Sequence, residues 1–403
     1  MNKLVITKNK VYFAVMFLII YCSHDTLMFG TNTNNLFITV RKIIPFLLCA
    51  VLLLMDLVER RRYSSKHLLW GIFVIILPLL SCIANNEAWD NYIYRLAIML
   101  CAFLLALSND HEKICEDYCA IMAFLSLWSI GVFVITSVWP WLVSMAPSIV
   151  NTNGYSYANL LFSVVEKSSN VRNYGLFREP GVYVVFLTIA FLFEIVKGNS
   201  KKRTKRIFIF TVAMLTTVST AGYIILAAIF IYLVSFNRDI KHKPLIVITI
   251  CGAVLILATQ TNLLLADGAM FSKFSIGSNS YGSWFARLSS LTENLKIAIN
   301  NPFWGIGRYS LYTVVLAQNG VYAAVDNTNT IMIGFAAYGI PFGIMLIMGC
   351  WKYFRKKTDN IIFAVFLFMI LFMSLSNEDM GQNVIFYYIV FAGFYERDRR
   401  AYI

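Results

Sequence analysis

The sequence predicts an all-α, polytopic membrane protein of about twelve transmembrane helices, with both termini on the cytoplasmic side and two long external loops. Three observations carry that expectation. Apolar residues make up 59% of the chain and charged residues only 14%, against about 45–50% and about 25% in soluble domains. A soluble fold with so few charges has no means of covering so much apolar surface, so lipid is the solvent. Apolar runs of roughly 17–25 residues, the length that crosses a hydrocarbon core, recur from end to end. They leave no room for a separate soluble domain, and residues 1–403 read as a single integral membrane domain. The basic residues, finally, fall in compact clusters on alternate connections.

Taken in order, spans fall near 11–30, 37–58, 68–84, 92–108, 119–139, 181–196, 207–220, 222–236, 244–262, 329–351, 361–376 and 384–395. The first follows Lys3, Lys8 and Lys10 and lacks a small-residue cleavage site, so it reads as an uncleaved helix rather than a signal peptide. The run from Ile207 to Phe236 is too long for one span. Its centre, Thr216-Thr217-Val218-Ser219-Thr220-Ala221-Gly222, is small and polar, which predicts two short helices with a hairpin between them. With the N-terminus inside, 24 of the 34 Lys and Arg gather on the cytoplasmic connections. They are the three lysines above, Arg60 to Arg62 with Lys66, Lys113, the run Lys197 to Arg206, Arg238 with Lys241 and Lys243, Lys352 to Lys357, and Arg397 to Arg400. The positive-inside bias therefore selects N-in, C-in and an even number of spans. The connection Asn109 to Tyr118 fits least, with one Lys among four acids.

The two long external loops cover approximately 140–180 and 263–328; long loops on rigid scaffolds are where binding and catalysis usually sit. The first ends in Val171-Arg172-Asn173-Tyr174-Gly175-Leu176-Phe177-Arg178-Glu179-Pro180-Gly181. Two arginines and a glutamate thus stand at the mouth of a span, and Pro180 suits a first helical turn. The positive end of that helix and the planar fork of Arg both favour anions, phosphate above all. Headgroup anchoring, or a pair with Glu179, is the plainer reading of the same residues. The second loop carries Arg287, then Asn301-Pro302-Phe303-Trp304-Gly305-Ile306-Gly307-Arg308, and closes on Asp326-Asn327-Thr328-Asn329-Thr330. The Pro and two Gly predict a tight turn where backbone comes close to something. Gly305-Ile306-Gly307 is neither a Walker loop nor a dinucleotide fingerprint, having no strand–turn–helix context. Asp326 to Thr330 read equally well as a plain helix cap. Tyr309, Tyr312 and Tyr322 suit either sugar stacking or the interfacial aromatic belt.

Ionisable residues inside the spans are costly unless paired or close to the interface. Asp56 and Arg95 lie near enough to helix ends to pair or snorkel, while His24 and Asp25 are left open between structure and function. The eight cysteines lie mostly in apolar helices and form no C-x-x-C pair, so they read as small buried hydrophobes. No H-E-x-x-H, no carboxylate cluster with metal spacing and no Ser-His-Asp set is present. The expectation is therefore a chain without metal or other cofactor, and nothing points to a nucleic-acid partner.

These motifs, in this order, resemble the O-antigen polymerase and O-antigen ligase superfamily. There a segment like Arg172 to Pro180 leads into a middle helix, and a Thr/Ser-Gly hairpin like Thr216 to Gly222 follows. A large periplasmic loop then ends in an Asn-Pro-x-x-Gly-x-Gly segment, here Asn301 to Gly307, and a polar pair, here Asp326-Asn327, precedes a Gly-containing helix. The resemblance covers about 160–340, the N-terminal third matching in hydropathy alone. Ligases typically carry His-Asn where this chain has Asp326-Asn327, which favours polymerase. The polymerases' paired Arg-x10-Gly pattern is not met, since eleven residues separate Arg308 from Gly320.

The resemblance implies a metal-independent membrane glycosyltransferase of the bacterial inner membrane, making O-antigen or a related surface polysaccharide of the lipopolysaccharide kind. A growing glycan on undecaprenyl pyrophosphate would pass at the periplasmic face onto the terminal sugar hydroxyl of a lipid-linked repeat unit. It assigns Arg172, Arg178, Arg287 and Arg308 to the pyrophosphate and glycan, and Asp326 or Glu179 to the acceptor proton. Lipid-linked glycans and membrane lipid are the implied partners, with a chain-length regulator protein as a further one. Ligase, and a non-enzymatic flippase or polysaccharide exporter, stand as alternatives. The last calls for polar residues near the bilayer midplane and often for repeated halves, and no internal repeat is found.

Overall fold

The computed structural model describes residues 8–59, 65–108, 111–168, 172–197, 202–236, 281–318 and 327–395, with isolated positions between 245 and 252. They are mostly helical. Among the described residues three helices are long and apolar enough to cross a membrane: α2 (Asn35–Val58), α3 (Ser65–Ala84) and α5 (His111–Val138). Shorter apolar helices accompany them, and the predicted span 244–262 lies largely outside the described residues. The chain divides into two compact units, Met1–Val51 with Asp110–Leu226, and Leu52–Asn109 with Ala227–Ile403.

In the first unit α1 (Lys8–Tyr21) buries Tyr12, Val15, Met16, Ile19 and Ile20, the i, i+3, i+4, i+7 stripe of a helix packed on one side. It packs on α5, which also receives α7 (Pro180–Val196) and α8 (Arg203–Thr216). Helix α7 is buried almost all round, as expected of a helix apolar on every face. The first span is shorter than predicted. It stops at Tyr21, because Ser23 Oγ and Thr26 Oγ1 bond backbone N–H groups of Asp25 and Phe29 and so compete with the helix. A π-helical turn, Leu27–Thr31, follows.

One correction belongs to the first long loop, where the fold is not purely α: after the short helix α6 (Trp141–Met145) comes an antiparallel sheet of β1 (Ser148–Val150), β2 (Ser156–Asn159) and β3 (Val164–Glu166). Its faces alternate with the strand period of two. Ile149, Tyr157 and Val164 pack with Leu27 and Tyr174, whereas Ala158 and Val165 pack on Val143. The run after Lys202 does break at the predicted centre, giving α8 and α9 (Thr220–Phe236) about a turn in which Val218 has φ +50°.

The Asn109–Tyr118 connection, which fits the charge pattern least, forms ion pairs within this unit. Glu116 is gripped by Arg206 through both oxygens, Nη1 to Oε2 at 2.9 Å and Nη2 to Oε1 at 2.7 Å, and also by Lys197. Arg206 Nη1 reaches the fully buried Glu194 at 2.7 Å, and Lys113 binds Asp117. Glu116 of the Asn109–Tyr118 connection is thus matched by Lys197 and Arg206, bases of the run that the charge rule also assigns to the cytoplasm.

The second unit holds α3, α4 (Asp90–Leu107), α10 (Tyr281–Asn300), α11 (Arg308–Gln318), α12 (Thr330–Tyr338), α13 (Ile340–Lys357), α14 (Ile361–Leu375) and α15 (Val384–Phe394). Helix α15 packs on α13 and α4. The crossing with α13 is close: a Cβ on Gly393 would lie 1.9 Å from the Gly349 carbonyl oxygen, so small residues set the approach. Two predictions are corrected here. The loop 263–328 contains two helices, α10 and α11, and the span 329–351 is two helices that meet at Gly339. That residue sits at φ +90°, with Pro341 opening α13. The seven described cysteines are all buried.

Candidate functional site

In the first unit the segment Arg172 to Pro180 is held along its length. Asn173 donates its N–H to the Thr216 carbonyl at 3.0 Å and its amide to Thr216 Oγ1 and Ser129 Oγ. Ser129 and Ser126 in turn bond the Tyr183 hydroxyl, a buried polar chain running inward along α5 and α7. The Tyr174 hydroxyl donates to Glu166 at 2.5 Å. Gly175 takes φ +56°, a backbone that L side chains rarely adopt, and a Cβ there would stand 3.1 Å from the Tyr183 ring. Phe177 stacks on Tyr183 and packs against the tilted ring of Phe186. Glu179 starts α7 with extended backbone and Pro180 occupies the first helical turn, as the sequence predicts. Burial, followed by the bond to Glu166, raises the Tyr174 phenol above its ordinary range, and burial with the Glu166 charge pushes Tyr157 up to about 12.

This frame presents three of the predicted side chains: Arg172 and Arg178 half-buried and Glu179 exposed. Arg172 Nε is buried and has no hydrogen-bond partner among the described residues. The frame also recruits a segment that the sequence left open. Thr26 bridges to Phe177, and the Arg178 N–H donates to the Asp25 carbonyl at 3.0 Å. Asp25 is almost fully buried and its carboxylate accepts from Ser23 Oγ. Arg41, which sequence reasoning missed as a site residue, donates to His24 Nδ1 at 2.8 Å and to the carbonyls of Phe29 and Gly30. A guanidinium only donates, so His24 Nδ1 accepts and the neutral ring carries its proton on Nε2. The available signal was the basic pair Arg41-Lys42 just inside an apolar run; the Arg41 partner, 17 residues back, was not legible.

In the second unit the Asn301–Gly307 turn meets the expectation of close backbone approach. Gly305, at φ +63°, leaves no room for a Cβ, which would lie 2.4 Å from the Ala336 carbonyl oxygen. Ile306 and Gly307 donate to the carbonyls of Ala336 and Ala337, and the Pro302 carbonyl accepts from Ile340 at 2.7 Å. The turn therefore stitches into the break between α12 and α13. At its end Glu87, from the α3–α4 connection, accepts the N–H groups of Arg308 and Ser310 at 2.8 Å each and the hydroxyl of Tyr92. The Arg308 guanidinium pairs with Asp379, whose Oδ1 accepts from the Gly381 N–H at 2.9 Å. Arg95 Nη1 donates to the Gly381 carbonyl at 3.2 Å, so this residue is paired, as expected near a helix end.

Beside this lies a buried amide cluster. Asn327 Oδ1 accepts from Ser290 Oγ at 2.6 Å and from Asn294 Nδ2 at 2.9 Å, and Asn327 Nδ2 donates back to Asn294 Oδ1. Asn329 caps α12 through the Met332 N–H, and Thr330 bonds the backbone of Glu378 and Met380. The cap reading therefore holds for Asn329. Arg287 stands one turn before Ser290 on the same face of α10, half-buried, its Nε without a partner among the described residues. Asp326 and Tyr322 lie outside the described residues. Glu87 and Asp379 were missed, and their only sequence signal is acid in short connections.

The predicted residues are thus divided: Arg172, Arg178 and Glu179 belong to the first unit, Arg287 and Arg308 to the second. Among the described residues no group of three or more His, Cys, Asp or Glu is arranged to hold a metal ion. What each arrangement offers chemically is guanidinium donors beside carboxylates at a helix terminus, suited to an anionic, hydroxyl-rich ligand. No family model, curated protein or solved structure matches this chain.

Proposed function

We propose that the chain is a membrane glycosyltransferase that polymerises undecaprenyl-pyrophosphate-linked oligosaccharide repeat units at the periplasmic face of a bacterial inner membrane. The topology that goes with it is twelve spans with both termini in the cytoplasm. The observation that carries the reading is the company Arg308 keeps. It stands at the start of α11 with Glu87 and Asp379, on three connections that the charge pattern puts on one side, the outside. The segments of the first unit that carry Arg172, Arg178 and Thr216 are likewise external by that rule.

In the reaction the anomeric C–O bond to pyrophosphate breaks, a new C–O bond forms to the acceptor hydroxyl, and undecaprenyl pyrophosphate leaves. Arg172, Arg178, Arg287 and Arg308 serve the lipid-linked substrate, offsetting charge as the phosphate departs. A carboxylate, Asp326 or Glu179, takes the acceptor proton. Asp326→Asn should abolish long polysaccharide with membrane abundance unchanged, while Glu179→Gln should weaken it; the reverse ranking moves the base to Glu179.

Deletion of the gene followed by electrophoresis of surface polysaccharide tests the whole reading. One repeat unit on lipid A supports polymerase, and none at all means ligase or flippase. For the topology, reporter fusions after Ser200, Lys241 and Lys357 should read cytoplasm and those near Asn170 and Ala317 periplasm. A cytoplasmic signal at Ala317 would remove Arg308 from the outer face and end the proposal.

A further inference from the structure

Arg308 is fixed by residues that lie far from it in the chain. Glu87, 221 positions away, accepts its N–H and that of Ser310, so a carboxylate terminates the free donors of α11 and sets where that helix starts. Gly307 makes room for it. A Cβ there would fall 2.3 Å from Glu87 Oε1, and φ is +81°. Asp379, 71 positions away, engages the guanidinium itself and is held by the Gly381 N–H. Arg95 bonds that same Gly381 through its carbonyl. Two arginines therefore flank one aspartate, and with Glu87 the formal charges of the four side chains balance. The Arg308 side chain remains 17% exposed, and one of its five N–H donors is engaged by Asp379.

We propose that Glu87 and Asp379 are positioning residues for Arg308. Glu87 sets the backbone from which the side chain leaves, and Asp379 sets the orientation of the guanidinium. The remaining donors of the fork then meet a phosphoryl group of the lipid-linked substrate in one geometry. This rests on the reading of Arg308 as a pyrophosphate contact. Neither carboxylate touches the reacting atoms; both act through the arginine.

The test is a double-mutant cycle in membranes of the deletion strain, using as substrate the lipid-linked oligosaccharide extracted from that strain. Rates are normalised to folded protein. Asp379→Asn should lower kcat/KM about tenfold or more, with the folded amount unchanged, and Asp379→Glu should recover part of it. On an Arg308→Lys background, Asp379→Asn should cost nothing further, because its effect runs through Arg308. Glu87→Gln should behave likewise. Losses that multiply in the double variants, losses that follow protein amount, or a wild-type rate in Asp379→Asn beside a damaged Arg308→Lys each overturn the positioning claim alone. A wild-type rate in Arg308→Lys overturns the pyrophosphate reading and with it the proposal.

Discussion

Arg206 and Arg308 are both arginines paired with carboxylates, yet their surroundings differ in kind. Arg206, at one end of the first unit, is closed on every side: two glutamates take three of its hydrogen bonds, and Lys197 balances the remaining charge. Arg308, in the second unit, has its backbone fixed by Glu87 and its side chain tied to Asp379 alone among the described residues. A cation with most of its donors used within the protein is architecture. One held firmly on one side, with donors to spare, is what an anionic ligand needs. The same residue type thus serves two ends, and the count of satisfied donors separates them.

The comparison breaks most visibly at Arg206. Arg206→Met leaves Glu194 buried without its principal partner, and removing one member of a buried pair costs about 3–5 kcal/mol. Folded protein should fall sharply, seen as lost membrane abundance and a lower Tm in detergent. Glu194→Gln on that background should recover part of the loss. An unchanged Tm would mean that water reaches the cluster and the contrast is false.

Arg308→Lys should do the opposite, leaving abundance intact and removing long polysaccharide, because Lys keeps the charge and loses the planar fork. Arg172→Lys should do the same. Full activity in both would reduce these arginines to generic electrostatics or headgroup anchors.

The smallest effect concerns the sheet. Tyr157 is raised to about 12 from an ordinary value near 10, so the stability it contributes is complete below about pH 10. It is lost as pH rises through about 12. Phenolate absorbance should show this tyrosine titrating late, with β1–β3 and the Arg172 segment loosening in that window. An onset near pH 10 would place Tyr157 in water.

Much of the architecture was legible in the sequence. The apolar runs, the break at Thr216–Gly222 and the Gly-rich turn at 301–307 need only local information: span length, side-chain polarity and the φ that glycine permits. The division at Gly339 was also there to be read in Gly339-Ile340-Pro341, but a continuous apolar run outweighed it. The strands were not, since three or four residues carry too little alternation to stand out from a loop.

By itself the sequence determined which segments seek lipid, which connections carry the bases, and where arginines stand at the mouths of helices. Only tertiary structure decided which carboxylate each arginine meets. Glu116 and Arg206, Asp379 and Arg308, and Glu87 and the Arg308 N–H are separated by 90, 71 and 221 positions. No periodicity links such positions. They are brought together by how apolar helices pack, and that packing is specified by shape spread over hundreds of side chains rather than by any local pattern. A motif reveals that an arginine is present; its partners reveal whether it is used up.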